Sequence, residues 1–289
     1  MLLRAEPGGP DAPDAPDAPD AVVAITQPAH GWVAGQLARA WAWGDPEGGP
    51  RGAPIPPPEA VCLATEQHDA GWAAWEGAPT LDPRTGRPHT FLTLPLRERL
   101  DIWAGAAARC VLPQSRYAAV LVSLHATRLH AGADVSGEPP EVAQDFRDFL
   151  AAEQRFRDGL LAGLRAGPSE GAAGAAAPEA VERAYALLST CDRLSLVLCG
   201  GLRAPREVAG APLAGGPVTL TLAPEGGDPA RVRVDPWPFR GRAVALEWEG
   251  RRLRGTFRAA GAMRAALAAA PWATFRVELV PSGPRPAAA

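Results

Sequence analysis

Lysine is missing from this chain: all 29 basic residues are arginine. Alanine and proline are correspondingly abundant, so the absence reads as a base-composition bias rather than a functional device. A surplus of positive charge is missing too. The formal net charge is −3, which leaves no basic field to neutralise a phosphate backbone, and nucleic-acid binding is not expected. Cysteine is scarce, with Cys62, Cys110, Cys191 and Cys199 and no CxxC spacing. That excludes a paired-cysteine zinc ribbon and suits reduced, buried core thiols in a cytoplasmic protein. No run of 18 apolar residues exists, so no membrane span is expected. The start, MLLRAEPGGP, lacks a charged segment followed by a long apolar stretch and does not read as a secretory signal. No Gly-rich phosphate loop or GxGxxG fingerprint is present, which disfavours P-loop and Rossmann chemistry; an α/β-hydrolase elbow is not expected either.

What remains is a globular composition, 47% hydrophobic over 289 residues, with nine Trp against two Tyr. That is enough chain for one large domain or two small ones. Residues 1–20 contain the repeat DAPDAPDAPD. Proline at every third position denies helix and the aspartates repel, so this stretch is expected to be a disordered acidic tail. The folded part begins near Ala21.

A helix is expected over 30–43, with His30, Val33, Ala34, Leu37 and Trp41 at helical spacing. A Pro/Gly loop follows, and Glu59 opens a helix that runs into His68-Asp69, with Gly71 as a helix stop. Residues 77–94 read as a long loop able to cover a site. Helices are expected at 96–111, 114–131, 140–165 and 179–200, with GPSEGAAGAAAPE as a flexible connection before the last. After Gly210 the period switches to two around Val218, Val232, Val244 and Phe275, with a hairpin at Gly250 and a short helix at 261–269.

Several polar side chains fall on the apolar faces of these helices: His30 on the first, His68 and Asp69 at the end of the second, His125 on the fourth, Asp192 on the last. Burying unpaired polar groups is costly, and convergence on a metal ion is an economical solution. A histidine beside an aspartate supplies the imidazole and carboxylate donors that hydrolytic metal centres use. Adjacent side chains on a helix diverge by about 100°, so both reach one ion most easily at a helix end.

The order H … HD … D, in the contexts HGWVAGQLARAW, AVCLATEQHDAGW and CDRLSLVL, resembles the HD-domain superfamily of metal-dependent phosphohydrolases over roughly residues 25–200. The chain as a whole resembles an uncharacterised bacterial family of unknown function that carries QPAHGW-, QHDAGW- and DRLSL-like motifs. The first resemblance implies an HD-like helical frame on which His30, His68, Asp69 and Asp192 are the metal ligands. Asp69 would bridge if two ions are held, and His125 matches a position where binuclear relatives place extra histidines. Asp69 and His125 are then the catalytic candidates. Glu66 and Gln67 are placed to orient a ligand, and Arg128 and Arg193 to contact a substrate phosphate, against a plainer reading of both arginines as helix-surface or salt-bridge residues. Two His and two carboxylates suit Mn, Fe, Co, Ni or Zn, as one or two ions.

Other residues take plainer readings. His130 lies about 140° round the helix from His125 and is expected at the surface, and His89 is expected to be exposed in its loop. Trp32, Trp72 and Trp75 are expected to pack, and Trp237, Trp248 and Trp272 to bury the sheet against the helices.

The class expected is α+β: a mainly helical, HD-like bundle over 21–204, a C-terminal antiparallel β meander over 205–282 packed on it, and a frayed end at 283–289. The function expected is metal-dependent hydrolysis of a small phosphoester, with nucleotides among the candidates. The alternatives are a di-iron oxygenase-type enzyme on the same frame and a non-catalytic ligand-binding or interaction module. The partner is a small molecule, with oligomeric state open.

Overall fold

A computed structural model describes residues 1–5, 21–42, 58–103 and 107–283. The strands and helices, in chain order, are β1 (Leu2–Ala5), β2 (Ala21–Ile25), α1 (Gln27–Ala40), α2 (Pro58–Gln67), α3 (Trp72–Glu76), β3 (Leu81–Asp82), β4 (Arg87–Pro88), α4 (Leu96–Trp103), α5 (Ala107–Val111), α6 (Arg116–Arg128), α7 (Pro140–Arg165), α8 (Glu170–Ala175), α9 (Pro178–Cys199), β5 (Arg206–Leu213), β6 (Gly216–Glu225), β7 (Asp228–Asp235), β8 (Val244–Arg254), α10 (Ala260–Ala269) and β9 (Trp272–Pro281).

The expected mainly helical bundle with a small C-terminal meander is incorrect. Seven strands form one curled sheet in the order β1-β2-β8-β9-β7-β6-β5, and strand makes up 25% of the chain against 47% helix. Two of those strands come from the N-terminus. β1 pairs antiparallel with β2, and β2 pairs with β8 through Ala21↔Arg254 to Ala24↔Arg251. Leu2–Ala5 is therefore strand, not tail, and residues 6–20 lie outside the described residues. The sheet is also mixed, since β7 and β9 run parallel.

β8 shows why the sheet has one wet face: Val244, Leu246, Trp248 and Gly250 are buried while the residues between them are exposed or half-buried. Gly250 makes no hairpin. It lies inside β8, where an added Cβ would come within 2.5 Å of Val23 Cγ1 and 3.0 Å of the Ala24 carbonyl oxygen. Glycine is required there for β2 to approach.

The buried face of the sheet closes on α1 and α9; α1 also packs on α2 and β8, and α9 on β5. One core runs through both layers, from Val33, Leu37 and Trp41 through Leu121 and Leu188 to Leu220, Val234 and Trp248. Helix starts follow local chemistry. Thr26 accepts the Ala29 N–H at 3.1 Å and Pro28 occupies the first turn, so α1 begins three residues before the expected His30 and ends before Trp41. Ser115 caps α6 by accepting from Ala118 N.

Further expectations change. The 167–179 connection contains α8, capped by Ser169. Gly167-Pro168-Ser169-Glu170-Gly171 has GxSxG spacing, yet it joins two helices with no strand leading in, so it is no nucleophile elbow. His89 is buried, with Nδ1 3.1 Å from Thr93 Oγ1. His130 is half-buried, its ring 3.8 Å from that of Trp103. Cys110 is exposed, unlike the other three thiols. Trp72 and Trp248 are core, but Trp32 and Trp272 are 46% and 58% exposed. No helix among the described residues is long and apolar enough to cross a membrane.

Candidate metal centre

α2 ends at Gln67, and His68 and Asp69 lie in the turn that follows it. The last carbonyls of a helix have no partner within it. The His68 ring supplies one: Nδ1 lies 2.7 Å from Thr65 O. A carbonyl oxygen only accepts, so Nδ1 carries the proton of that bond and the ring is turned to send Nε2 into the protein. There Nε2 is buried without a hydrogen-bond partner, 3.5 Å from Asp69 Oδ2 and 3.4 Å from Asp192 Oδ1.

Three further helices complete the cluster. α1 brings His30, fully buried, with Nε2 2.9 Å from Asp69 Oδ2 and Nδ1 2.8 Å from Ser195 Oγ. α9 brings Asp192 and Ser195, one helical turn apart. Ser195 Oγ also lies 2.7 Å from Asp192 O. The hydroxyl has one proton. The Asp69 carboxylate only accepts, so His30 Nε2 donates to it; in the neutral ring Nδ1 is then an acceptor, and the one Ser195 hydroxyl proton is shared between His30 Nδ1 and Asp192 O. α6 brings His125, whose Nε2 is 3.8 Å from Asp192 Oδ2 and whose ring meets His68 edge-on at 4.7 Å. Two overlapping groups could each hold a metal ion: His30, His68 and Asp192, and His68, Asp69 and His125. Within each, one donor atom per residue lies within 4.8 Å of the others.

The charges respond to this crowding. Burial works against a protonated His68, but the Asp69 and Asp192 carboxylates outweigh it and push its pKa up to about 9. Burial, joined by the charge of His68, pulls His125 down to about 4. Burial would raise Asp69 and Asp192, yet the surrounding imidazoles hold both below the usual carboxylate range. A second proton on His68, on Nε2 between the two carboxylates, holds the place that a metal cation would take.

Beside the cluster is a cavity of about 20 Å³ whose wall includes His68, Asp69, His125, Ser123 and Glu153. It has room for one water or ion. Glu153 was not foreseen. It is 3% exposed on α7, and its Oε2 accepts from Ser123 Oγ at 2.6 Å. Arg157, one turn on, donates to Ser123 O, Ser123 Oγ and Thr127 Oγ1 at 3.0–3.2 Å. Glu153→Ala is expected to destabilise the fold by about 2–4 kcal/mol, because it removes the acceptor of Ser123 and the carboxylate whose charge most favours the buried Arg157 guanidinium. A urea midpoint unchanged from wild type would contradict this.

The remaining candidates sit elsewhere. Glu66 faces outward in an ion pair with Arg39, and Gln67 reaches Glu66 rather than the cluster. Arg128 pairs with Glu182 on the surface. Arg193 donates to Ser189 O and Ala209 O. The 77–94 segment, expected as a cover, contributes nothing to the cavity wall. The orienting groups that sequence reasoning missed are Thr65 O, Ser195 and Gln27, whose Nε2 donates to Asp69 Oδ2 at 2.9 Å. Gln27 N in turn donates to both oxygens of buried Glu76, at 2.9 and 3.0 Å.

The model of a family described as a protein of unknown function (DUF3891) matches residues 16–255. The chain belongs to the DUF3891 family. The matched stretch runs from ahead of β2 to the end of β8, so it contains all five residues of the cluster. No curated protein and no solved structure matches the chain. For this DUF3891 member, chemistry has to be read from the site itself.

Proposed function

We propose that this protein is a metal-dependent hydrolase of a small phosphoester, with the ion held by His30, His68, Asp69 and Asp192 and with His125 beside it. The observation that carries the reading is His68 Nε2, a buried nitrogen with no hydrogen-bond partner, its ring fixed from behind by Thr65 O, facing two carboxylate oxygens at 3.4 and 3.5 Å. Metal-bound histidines characteristically donate their other N–H to a carbonyl or carboxylate in this way. The H … HD … D order, through which the chain resembles the HD phosphohydrolases, supports the choice of phosphoesters. A bound divalent ion would supply an acidified water and neutralise charge on the phosphoryl group.

The chain's own residues have separate duties in this reading. Gln27 and His30 hold the Asp69 carboxylate in one orientation. Ser195 ties His30 to the Asp192 backbone. The Asp69 side chain is 13% exposed while those of His30 and His68 are fully enclosed, so substrate meets the centre from the Asp69 side. His125, held neutral by burial, stands beside the centre with Nε2 3.8 Å from Asp192 Oδ2, as a proton acceptor.

The test is metal analysis of protein purified without added metal, followed by turnover of aryl phosphates and nucleotides with and without chelator. Stoichiometric metal and chelator-sensitive release of phosphate are expected. A metal-replete protein that hydrolyses none of them overturns the hydrolase reading, and a metal-free protein indifferent to chelator overturns the centre.

Metal must displace the proton that His68 holds up to pH of about 9. Apparent affinity is therefore expected to rise roughly tenfold per pH unit between pH 6 and 8, with proton release on binding. Calorimetric titration with Mn²⁺ or Zn²⁺ in buffers of different ionisation heat measures both. An affinity independent of pH over that range would show that His68 is not a ligand.

A further inference from the structure

The first turn of α1 has a second neighbour. Gln27 and His30 face the cluster, while Thr26, Pro28, Ala29 and Trp32 line a separate cavity of about 690 Å³. Its other walls include Met1, Glu76, Glu247–Arg251 of β8, Arg264 and Leu267 of α10, and Trp272. None of the five cluster residues lines it. The volume lies in the range of small-molecule sites, far above the 20 Å³ at the cluster.

Two features of the wall indicate an occupant. First, large aromatic surface is left out of the core: Trp32 is 46% and Trp272 is 58% exposed, on opposite elements of the same cavity. Flat indole faces suit a flat apolar or aromatic body. Second, the charges do not cancel. Of the three carboxylates in the wall, Glu76 accepts from Gln27 N and lies 2.6 Å from the Met1 amino group, and Glu247 pairs with Arg276. Glu249 has no ion-pair partner among the described residues. Two guanidiniums stand against it. Arg251 lies over the Trp272 ring at 4.0 Å and spends Nη1 on Ala268 O and Ala270 O. Arg264 spends Nε on Pro79 O. Neither is paired with a carboxylate among the described residues, and each is anchored by one edge, which holds the group in place and leaves further N–H donors for a ligand.

We infer that this cavity is a binding site for a small organic anion, a carboxylate, sulfonate or phosphate joined to a flat apolar body, with Trp32 and Trp272 as the platform and Arg251 and Arg264 as the anion contacts. The site stands on its own residues and does not depend on the metal reading.

The test uses the full-length protein and 8-anilinonaphthalene-1-sulfonate, a flat aromatic anion whose fluorescence reports burial. Expected is saturable one-to-one binding, weakened at least tenfold in Trp272→Ala and in Arg264→Gln, with thermal midpoints within a few degrees of wild type because both side chains are exposed. The uncharged analogue N-phenyl-1-naphthylamine is expected to bind at least tenfold more weakly than the sulfonate. Absence of saturable binding, or binding untouched by either substitution, overturns the site. Equal binding of the neutral analogue overturns the anion contacts and with them the proposal as stated.

Discussion

Asp69→Asn is expected to purify with little or no bound metal and to lose at least about a hundredfold in affinity for Mn²⁺ or Zn²⁺. Asn keeps the shape of the side chain and an oxygen for Gln27 Nε2, which donates to Asp69 Oδ2 at 2.9 Å, so the local fold has little reason to change. What it removes is the charge. Asp69 is the strongest influence opposing burial at His68, and its Oδ2 lies within reach of both His30 Nε2 and His68 Nε2. Without that carboxylate the cluster retains only Asp192 against three imidazoles.

Ligand binding stabilises the native state by mass action. Chelator should therefore lower the thermal midpoint of the wild type and leave that of Asp69→Asn where it is. Glu66→Ala is the contrast: Glu66 pairs with Arg39 away from the cluster, and its loss is expected to leave metal content unaltered. Equal metal in Asp69→Asn and wild type would remove Asp69 from the centre, and with it the assignment.

In the chelated protein the two histidines make stability depend on pH in opposite senses. The folded pKa of His68 is raised to about 9, so its stabilising contribution is complete below its unfolded value near 6.5 and is lost as pH rises toward 9. That of His125 is lowered to about 4, so stability falls as pH drops from about 6.5 toward 4. Asp69 and Asp192, both lowered, lose their contribution only in stronger acid.

The five cluster residues were legible because each is a polar group within or at the end of a helical segment otherwise rich in Ala, Leu and Val. That local contradiction is visible in one dimension. Glu153 and Arg157 were not. They stand four apart on a highly charged helix, where Glu and Arg at that spacing read as an exposed pair. Gln27 and Ser195 escaped because a residue that orients a ligand needs no unusual context of its own. The sheet was half legible. The period of two in β6 to β9 is local, but AVVAI of β2 is a five-residue apolar run with no alternation, and its partner β8 lies more than two hundred residues on. Pairing at that separation leaves no sequence period to read, and so the N-terminal strands were missed and the helical share was overweighted.

Gly31→Ala carries the second large effect, and it tests how the centre is positioned rather than what it binds. α1 and α2 approach most closely where Gly31 and Gly35, one turn apart, face Glu66. A Cβ at position 31 would fall 2.6 Å from the Glu66 carbonyl oxygen, and one at 35 would fall 2.8 Å from Glu66 Cβ. Real contacts of that kind do not occur, and the obstacle at position 31 is backbone, which cannot rotate away. The helices would have to part. Overpacking of this sort costs about 1–3 kcal/mol, and part of it returns as better helix propensity, by about 1 kcal/mol for Gly to Ala.

The larger consequence is geometric. His30 precedes Gly31 on α1, and His68 follows Glu66 by two residues, so the crossing sets the distance between two proposed ligands. Separating the helices by even half an ångström pulls His30 away from His68 and Asp69. Gly31→Ala is thus expected to remain folded with a modest loss in urea midpoint, and to lose metal affinity at least about tenfold. Gly35→Ala is the companion: Glu66 Cβ, its closest obstacle at 2.8 Å, moves with the backbone, so a similar loss in urea midpoint is expected, but position 35 lies a turn further from His30, so metal affinity should fall less. Equal metal binding in Gly31→Ala and wild type would mean that the centre tolerates a wider α1–α2 crossing, and that close approach at Gly31 serves packing alone.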